Sequence, residues 1–487
     1  MTASDLARTG RLHIGGEWQD ASSGDAFEVV DPGNGETLAH VADGTIADGI
    51  AAIDAAETAA QEWAATPARR RSEILLRSWE LLMAQRDDIA RLIALESGKA
   101  FTEALGEVDY GGEFLRWFAE EACRATGSFT KAPSGAYNIL TQLKPVGISV
   151  LVTPWNFPLA MATRKIGPAL AAGCTVVLKP ASATPLTSYA MAAIFAEAGV
   201  PAGVVNVVTT SDSKGVVGAM LADPRTRKMS FTGSTEVGRG LLKQAAGTIL
   251  RTSMELGGNA PFVVAADADL DVALDSAMIA KLRNGGQSCV AANRFIVHAS
   301  RVDEFCTGFA ARMNEVKVGY ALAEGTQLGA LISDEAVAAN LELIEDAVGR
   351  GAKLLAGGER ARGEGISDKG HYLAPTLLRD VPPDARCMVE EIFGPVAPVT
   401  TFDTFDEAME LANDTDFGLV AFIQTSDMQL GLQFADRVHA GMVGINRGVV
   451  SDPAAPFGGW KQSGLGREGG HEGLLEYLET QYVATSW

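Results

Sequence analysis

Cysteine is scarce in this chain, and the five present, Cys123, Cys174, Cys289, Cys306 and Cys387, are odd in number and show no C-x-x-C spacing. Neither a disulfide framework nor a zinc site is indicated. The six histidines do not cluster either, so no metal is expected. Basic residues are in deficit, 40 Lys and Arg against 61 Asp and Glu, and no local run of either offsets the formal charge of −21. Such a field repels phosphate backbones and anionic lipid, which argues against nucleic-acid and membrane partners. Long apolar runs are missing as well. The longest, Ile166 to Leu178, is broken by Pro168 and Thr175 and stops at Lys179, well short of the roughly 20 residues a membrane span needs. Residues 1–18 hold Asp5, Arg8, Arg11 and Glu17 with no apolar core, so no signal peptide is expected and the expected location is cytoplasmic.

What is present describes an α/β protein. The 487 residues, 47% hydrophobic with 53 glycines, exceed what one core usually organises, so two or three domains of roughly 100–200 residues are expected. Residues 11–45 alternate short β-type pieces (Arg11–Ile14, Ala26–Val30, Thr37–Val41) with turn signals, as an N-terminal hairpin layer would. From Ile46 to Gly98 apolar residues recur at helical spacing in two segments separated by Pro67, and a third helix is expected from Thr102 to Thr126. The run Val146–Val152 has the continuous apolar character of a strand covered on both faces. Strand-then-helix units follow: Cys174–Leu178 and Ser188–Glu197, Val204–Val208 and Ser213–Ala222, Lys228–Phe231 and Val237–Ala246. A second α/β pattern runs from Ala260 to about Asn446, and Glu472–Trp487 reads as a short helix and an extended tail that wants a partner.

Two stretches carry chemistry. In Asn284-Gly285-Gly286-Gln287-Ser288-Cys289, glycines and small polar neighbours suit a site where substrate and backbone amides approach a nucleophilic thiolate closely, although an inert buried cysteine is the commoner case. The turn Phe231-Thr232-Gly233-Ser234-Thr235-Glu236-Val237-Gly238 ends a strand and opens a helix, where free amides would hold a pyrophosphate. It matches only the outer glycines of G-x-G-x-x-G, so a helix with a glycine-rich start is the competing reading.

Four motifs occur in order along the chain: Thr153-Pro154-Trp155-Asn156-Phe157-Pro158, Met254-Glu255-Leu256-Gly257-Gly258-Asn259, Gly286-Gln287-Ser288-Cys289 and Glu391-Ile392-Phe393-Gly394-Pro395. Together they resemble the aldehyde dehydrogenase superfamily over essentially the whole chain, and within it the sequence is most similar to succinate-semialdehyde dehydrogenases of the NADP-preferring type. The resemblance implies a doubly wound parallel-sheet cofactor domain (1–126 and 146–257), a second α/β catalytic domain (258–455) and a small β oligomerisation arm (127–145 and 470–487) that extends a sheet across a homodimer or homotetramer.

It also implies roles. Cys289 would be the nucleophile, forming a thiohemiacetal with the aldehyde and then a thioester, while the Asn156 side chain and the Cys289 amide hold the oxyanion. Glu255, set among apolar and glycine residues and so expected to be semi-buried with a raised pKa, would activate the hydrolytic water. Thr153, Trp155, Asn156, Lys179, Ala181, Ser182, Gly233, Ser234, Leu256, Glu391 and Phe393 would bind the cofactor. Relatives preferring NAD usually carry Glu where Ser182 stands. Its loss removes a repulsion from a 2′-phosphate, so NADP is expected, with NAD possible. Arg164, Arg283 and Ser451 match a carboxylate clamp for the small semialdehyde substrate. Glutarate semialdehyde, a general aliphatic aldehyde, or a catalytically inert scaffold of this fold remain the alternatives. Close relatives often carry a second Cys two residues after the nucleophile, whereas Val290-Ala291 follows here, which removes that route to a regulatory disulfide.

Overall fold

The computed structural model describes Asp5, Ala7 and residues 9–487. Its first sheet has eight strands, and their order places Ile148–Val152 at the centre with Val176–Lys179 and Val205–Val207 on one side and Thr226–Thr232 and Arg251–Glu255 on the other. These five run parallel. The chain winds outward from Ile148–Val152 in one direction, then returns to its other side. That makes the boundary with Thr226–Thr232 the switch point, where the two outgoing loops separate and leave a crevice. Every residue of Ile148–Val152 is buried, as its unbroken apolar run requires of a strand covered on both faces.

A second sheet of seven strands is parallel apart from its edge strand Lys353–Ala356, with Ala260–Val264 and Ala292–His298 paired at its middle. The two sheets are joined by four residues, Leu256 to Asn259, between strands Arg251–Glu255 and Ala260–Val264. After the second sheet the chain returns to the first, where Gly464–Leu465 pairs antiparallel with Met254 and Glu255. A third, antiparallel sheet combines Ser128–Lys131, Asn138–Pro145 and the C-terminal Leu478–Thr485, with much of its surface exposed. The extended tail thus finds its partner within the chain, in register from Leu478 opposite Pro145 to Thr485 opposite Asn138.

The α/β class and doubly wound sheet are as expected, with local differences. Leu12–Ile14 and Glu17–Gln19 extend the first sheet through His13 opposite Val207, whereas Ala26–Val30 and Thr37–Ala42 form a separate pair. The region after Ile46 holds three helices, because the chain breaks again at Gln85. The third expected helix ends at Glu121, short of Thr126. Helix Pro158–Ala172, which the sequence analysis does not single out, is buried at all fifteen positions, Arg164 and Lys165 included. Strands Arg251–Glu255, Thr376–Arg379, Val396–Phe402 and Val420–Gln424 also went unpredicted. No helix among the described residues is long and apolar enough to cross a membrane.

Candidate active site

Cys289 lies beyond a sharp corner. Helix Leu270–Leu282 gives way to a short turn in which Asn284 (φ 56°) and Gly285 (φ 64°) are left-handed, a conformation Asn tolerates better than other side-chain-bearing residues. Two glycines then let separate segments converge. A Cβ on Gly258 would fall 2.4 Å from the Cys289 carbonyl oxygen, and one on Gly286 would fall 2.2 Å from that of Gly394. The motifs containing Glu255, Cys289 and Glu391 therefore meet at one point. There Cys289, Asn156 and Thr232 line a cavity of about 220 Å³ at the switch point of the first sheet.

Asn156 is held from below. Its carbonyl accepts hydrogen bonds from Lys99 Nζ (2.7 Å) and Asn284 Nδ2 (2.9 Å), while its own Nδ2 donates to the Gln287 carbonyl (3.0 Å). Lys99 is in turn paired with Glu107, which accepts from the Leu159 amide at 2.9 Å, so the helix carrying Arg164 is tied to the same anchor.

Glu255 ends strand Arg251–Glu255 and is 2% exposed. Neither carboxyl oxygen has a hydrogen-bond partner among the described residues. Burial first, and then the charge of nearby Glu468, raise its pKa well above the ordinary range against the smaller pull of Arg164 and Lys165. For Glu468 the balance is opposite. Burial alone would raise it, but its ion pairs with Arg164 and Lys165 outweigh burial and hold it below the ordinary value. Burial likewise pushes the Cys289 thiol up to about 12, with Arg164 opposing and Glu391 and Glu255 reinforcing. Burial favours the thiol over the thiolate at rest, and Glu391 and Glu255 are the carboxyls close enough to act on it, Glu255 in the fraction that is ionised.

The expected cofactor residues cluster at the ends of the first sheet's strands. Lys179 closes Val176–Lys179, and burial lowers its ammonium to about 8 with no carboxylate to compensate. After Ala181, the Ser182 hydroxyl donates to the Thr210 carbonyl at 2.9 Å. Gly233 donates its N–H to the Glu255 carbonyl (3.1 Å), and Ser234 caps helix Thr235–Ala245. The hydroxyls of Thr153 and Thr232 are buried without partners among the described residues. Trp155 stands edge-on to Phe393 with centroids 5.4 Å apart, and Leu256 lines the same cavity. Glu391 accepts from the Gly258 amide at 3.0 Å and is raised by burial to about 7. A second, largely apolar cavity of about 560 Å³ opens beside Phe231, between Val217 and Val237 on facing helices. Val237, apolar and 53% exposed, borders that slot, and only the fold reveals it. Partnerless hydroxyls, an uncompensated lysine, a helix N-terminus and an apolar slot along one crevice fit a dinucleotide.

Arg164, Arg283 and Ser451 are brought together around a residue the sequence did not single out, Tyr110, whose hydroxyl interacts with both Arg164 and Ser451. The two arginines differ. Arg164 is fully buried, paired with Glu468, and its guanidinium lies 4.3 Å from the Phe457 ring centroid. Arg283 is half-buried, 5.1 Å from the Phe157 centroid and 5.7 Å from that of Tyr110, and forms no ion pair among the described residues. Lys99, Glu107, Lys165 and Glu468 were also missed. Two cations side by side in an apolar helix signal buried acids somewhere, but not which acids.

A thiol and a partnerless buried carboxylate, set at the switch point of a nucleotide-binding sheet, define a cofactor-dependent oxidoreductase that works through a covalent sulfur intermediate. The aldehyde dehydrogenase family model matches residues 18–483, and the chain belongs to that family, as the four motifs indicated. It is similar to a succinate-semialdehyde dehydrogenase of Paenarthrobacter nicotinovorans, 52% identical over 92% of this chain and 98% of that one. It is also similar to a glutarate-semialdehyde dehydrogenase of Pseudomonas putida, 46% identical over 98% of each. A crystal structure of an Escherichia coli NADP-dependent enzyme superposes with a TM-score of 0.96 at 44% identity, covering 99% of both chains. The protein is therefore an enzyme that oxidises an aldehyde with a nicotinamide cofactor, NAD or NADP.

Proposed function

We propose that the chain oxidises succinate semialdehyde to succinate and prefers NADP. The observation that carries the substrate assignment is Arg283, a cation with no ion-pair partner among the described residues, facing the same Tyr110 that joins Arg164 to Ser451. A substrate carboxylate supplies the missing charge and places the aldehyde of a four-carbon chain toward Cys289. The assignment is supported by the Paenarthrobacter relative. The Pseudomonas relative favours glutarate semialdehyde as the second reading, and one methylene is worth only about 1–3 kcal/mol of discrimination.

In the reaction, Glu255 in its carboxylate form takes the thiol proton as Cys289 Sγ attacks the aldehyde carbon, then releases it to solvent, while the Asn156 side-chain amide and the Cys289 N–H stabilise the oxyanion. The cofactor supplies a hydride acceptor when bound. Glu255 then takes a proton from the water that attacks the resulting thioester, releasing the acid and restoring the thiol. Lys179, Ser182, Glu391 and Phe393 hold the cofactor, with Thr153, Trp155, Ala181, Gly233, Ser234 and Leu256 shaping its path. NADP is supported by the absence of an acid at position 182 and by the Escherichia coli neighbour. The Ser182 hydroxyl, now bonded to Thr210, turns to the 2′-phosphate on binding.

The cofactor domain comprises 1–126 and 146–257, the catalytic domain 258–455, and the arm 127–145 with 470–487. The arm's exposed Phe129 and Trp487, stacked 5.7 Å apart, suit a second copy of this chain in a cytoplasmic homodimer or homotetramer. The test is steady-state turnover of succinate and glutarate semialdehydes and butyraldehyde with NADP and NAD, in wild type and Arg283→Ala. High kcat/KM with succinate semialdehyde and NADP, lost in the variant while butyraldehyde turnover survives, supports the assignment. Equal use of uncharged aldehydes, or preference for NAD, overturns the substrate or the cofactor half of it.

A further inference from the structure

Glu103 lies in the first turn of helix Phe101–Glu121, and nothing in the reaction just described uses it. One of its carboxyl oxygens accepts the backbone N–H of Asn284, the left-handed corner residue between Arg283 and Cys289. The other, Oε2, is buried with no hydrogen-bond partner among the described residues. Asn284 is itself a junction, because its side-chain amide donates both to the Asn156 carbonyl (2.9 Å) and to the Gln287 carbonyl (3.0 Å). Holding that corner therefore sets three things at once: the reach of Arg283, the place of Asn156, and the start of the loop that ends in Cys289.

The charged groups facing Glu103 are Lys99, Glu107 and Arg283. Lys99 is already taken by Glu107 and the Asn156 carbonyl, whereas Arg283 is bound to no acid. Building on the reading of Arg283 as the substrate's cation, we infer that Glu103 is a positioning residue for it. Through Asn284 it fixes the spacing between Arg283 and Cys289, and its free oxygen sets how strongly Arg283 attracts a carboxylate. A negative Glu103 cancels part of the arginine's field and a neutral one does not. Burial lifts the Glu103 carboxyl to about 7, the Asn284 bond, Lys99 and Arg283 opposing and Glu107 reinforcing, so the change falls within the working pH range. The sign follows: as pH rises through that value Glu103 ionises, and affinity for anionic aldehydes falls while affinity for uncharged ones does not.

KM and kcat for succinate semialdehyde and for butyraldehyde, measured from about pH 6 to about pH 8.5 in wild type, Glu103→Gln and Glu103→Ala, test this. In wild type the KM for succinate semialdehyde rises about three- to tenfold across the range and that for butyraldehyde stays level. Glu103→Gln keeps an acceptor for Asn284, so kcat stays within about twofold while the KM for the anionic substrate loses its pH dependence. Glu103→Ala removes the acceptor, and kcat falls about tenfold or more with both aldehydes. A Glu103→Gln profile parallel to wild type, or an alanine variant with full kcat on butyraldehyde, overturns the inference. Arg283→Ala separates the two readings. An unchanged KM for succinate semialdehyde there sinks the clamp itself, whereas a raised KM beside an unaltered Glu103→Gln profile sinks only the role of Glu103.

Discussion

The charged groups beneath Cys289 and those at the ligand-facing rim are built on opposite plans. Beneath it, Glu255 and Glu468 lie with Arg164 and Lys165 in a buried set holding two acids and two bases. At the rim, Arg283 and Lys179 form no ion pair among the described residues, although Glu103 faces Arg283 without bonding it. Where the chain supplies both signs, the field is fixed before any ligand arrives, as a preorganised reaction centre requires. Where it supplies one sign, the ligand brings the other, and binding is linked to charge neutralisation. On the proposed function, the floor performs chemistry and the rim selects.

The severest break in the floor is Glu255→Gln. It removes the base while keeping shape, and kcat falls about 10²–10⁴-fold. In wild type the carboxylate form is the active one, so kcat climbs with pH through a range well above that of an ordinary carboxyl, and the variant loses this limb. Stability moves the other way. The folded-state pKa of Glu255 is raised above its unfolded value, so its ionisation opposes folding and stability is lost as pH climbs between the two. The glutamine variant escapes that penalty. It melts higher than wild type at neutral pH, and the difference closes below about pH 4 in thermal scans. Equal melting at neutral pH would mean that the acid is not buried as described.

A smaller effect separates the two arginines. Arg164→Met leaves Glu468 with Lys165 alone and costs about 3–5 kcal/mol, read as a lower midpoint in urea. Arg283→Met, which breaks no ion pair, keeps the wild-type midpoint and shows its loss in KM. Equal midpoints would erase the distinction between floor and rim.

Much of this was legible from sequence because strand and helix periods are local. Ile148–Val152 and Ser213–Ala222 fall where apolar spacing put them. The segments carrying Cys289, Glu255 and Asn156 were legible for other reasons: glycines and small polar neighbours marked the Cys289 stretch, and the resemblance of their motifs to the aldehyde dehydrogenases marked Glu255 and Asn156. What stayed hidden was pairing at long range. Glu468 is 304 residues from Arg164, and nothing local to either tells that they meet. Tyr110 sits in a helix expected from its apolar spacing alone, and its hydroxyl gains meaning only beside Arg164 and Ser451. Helix Pro158–Ala172 was obscured by its own burial, because Arg164 and Lys165 are buried along with its apolar residues and no polar face is turned to solvent.

The mildest test adds an acid to the rim. Ser182→Glu places a carboxylate near Lys179, whose ammonium, held near 8 by burial with nothing to offset it, gains a resident partner. Two consequences follow from that single charge. The lysine's pKa rises toward its ordinary value, because an opposite charge now repays part of its desolvation. A 2′-phosphate, by contrast, meets repulsion, while the ribose hydroxyls of NAD find an acceptor, so the ratio of kcat/KM for NADP to that for NAD falls about tenfold or more. The lost hydrogen bond to the Thr210 carbonyl lies in a partly exposed turn, so folding is little affected. If the ratio does not move, Lys179 and position 182 do not read the 2′-position, and the rim's rule of one sign per site holds for Arg283 alone.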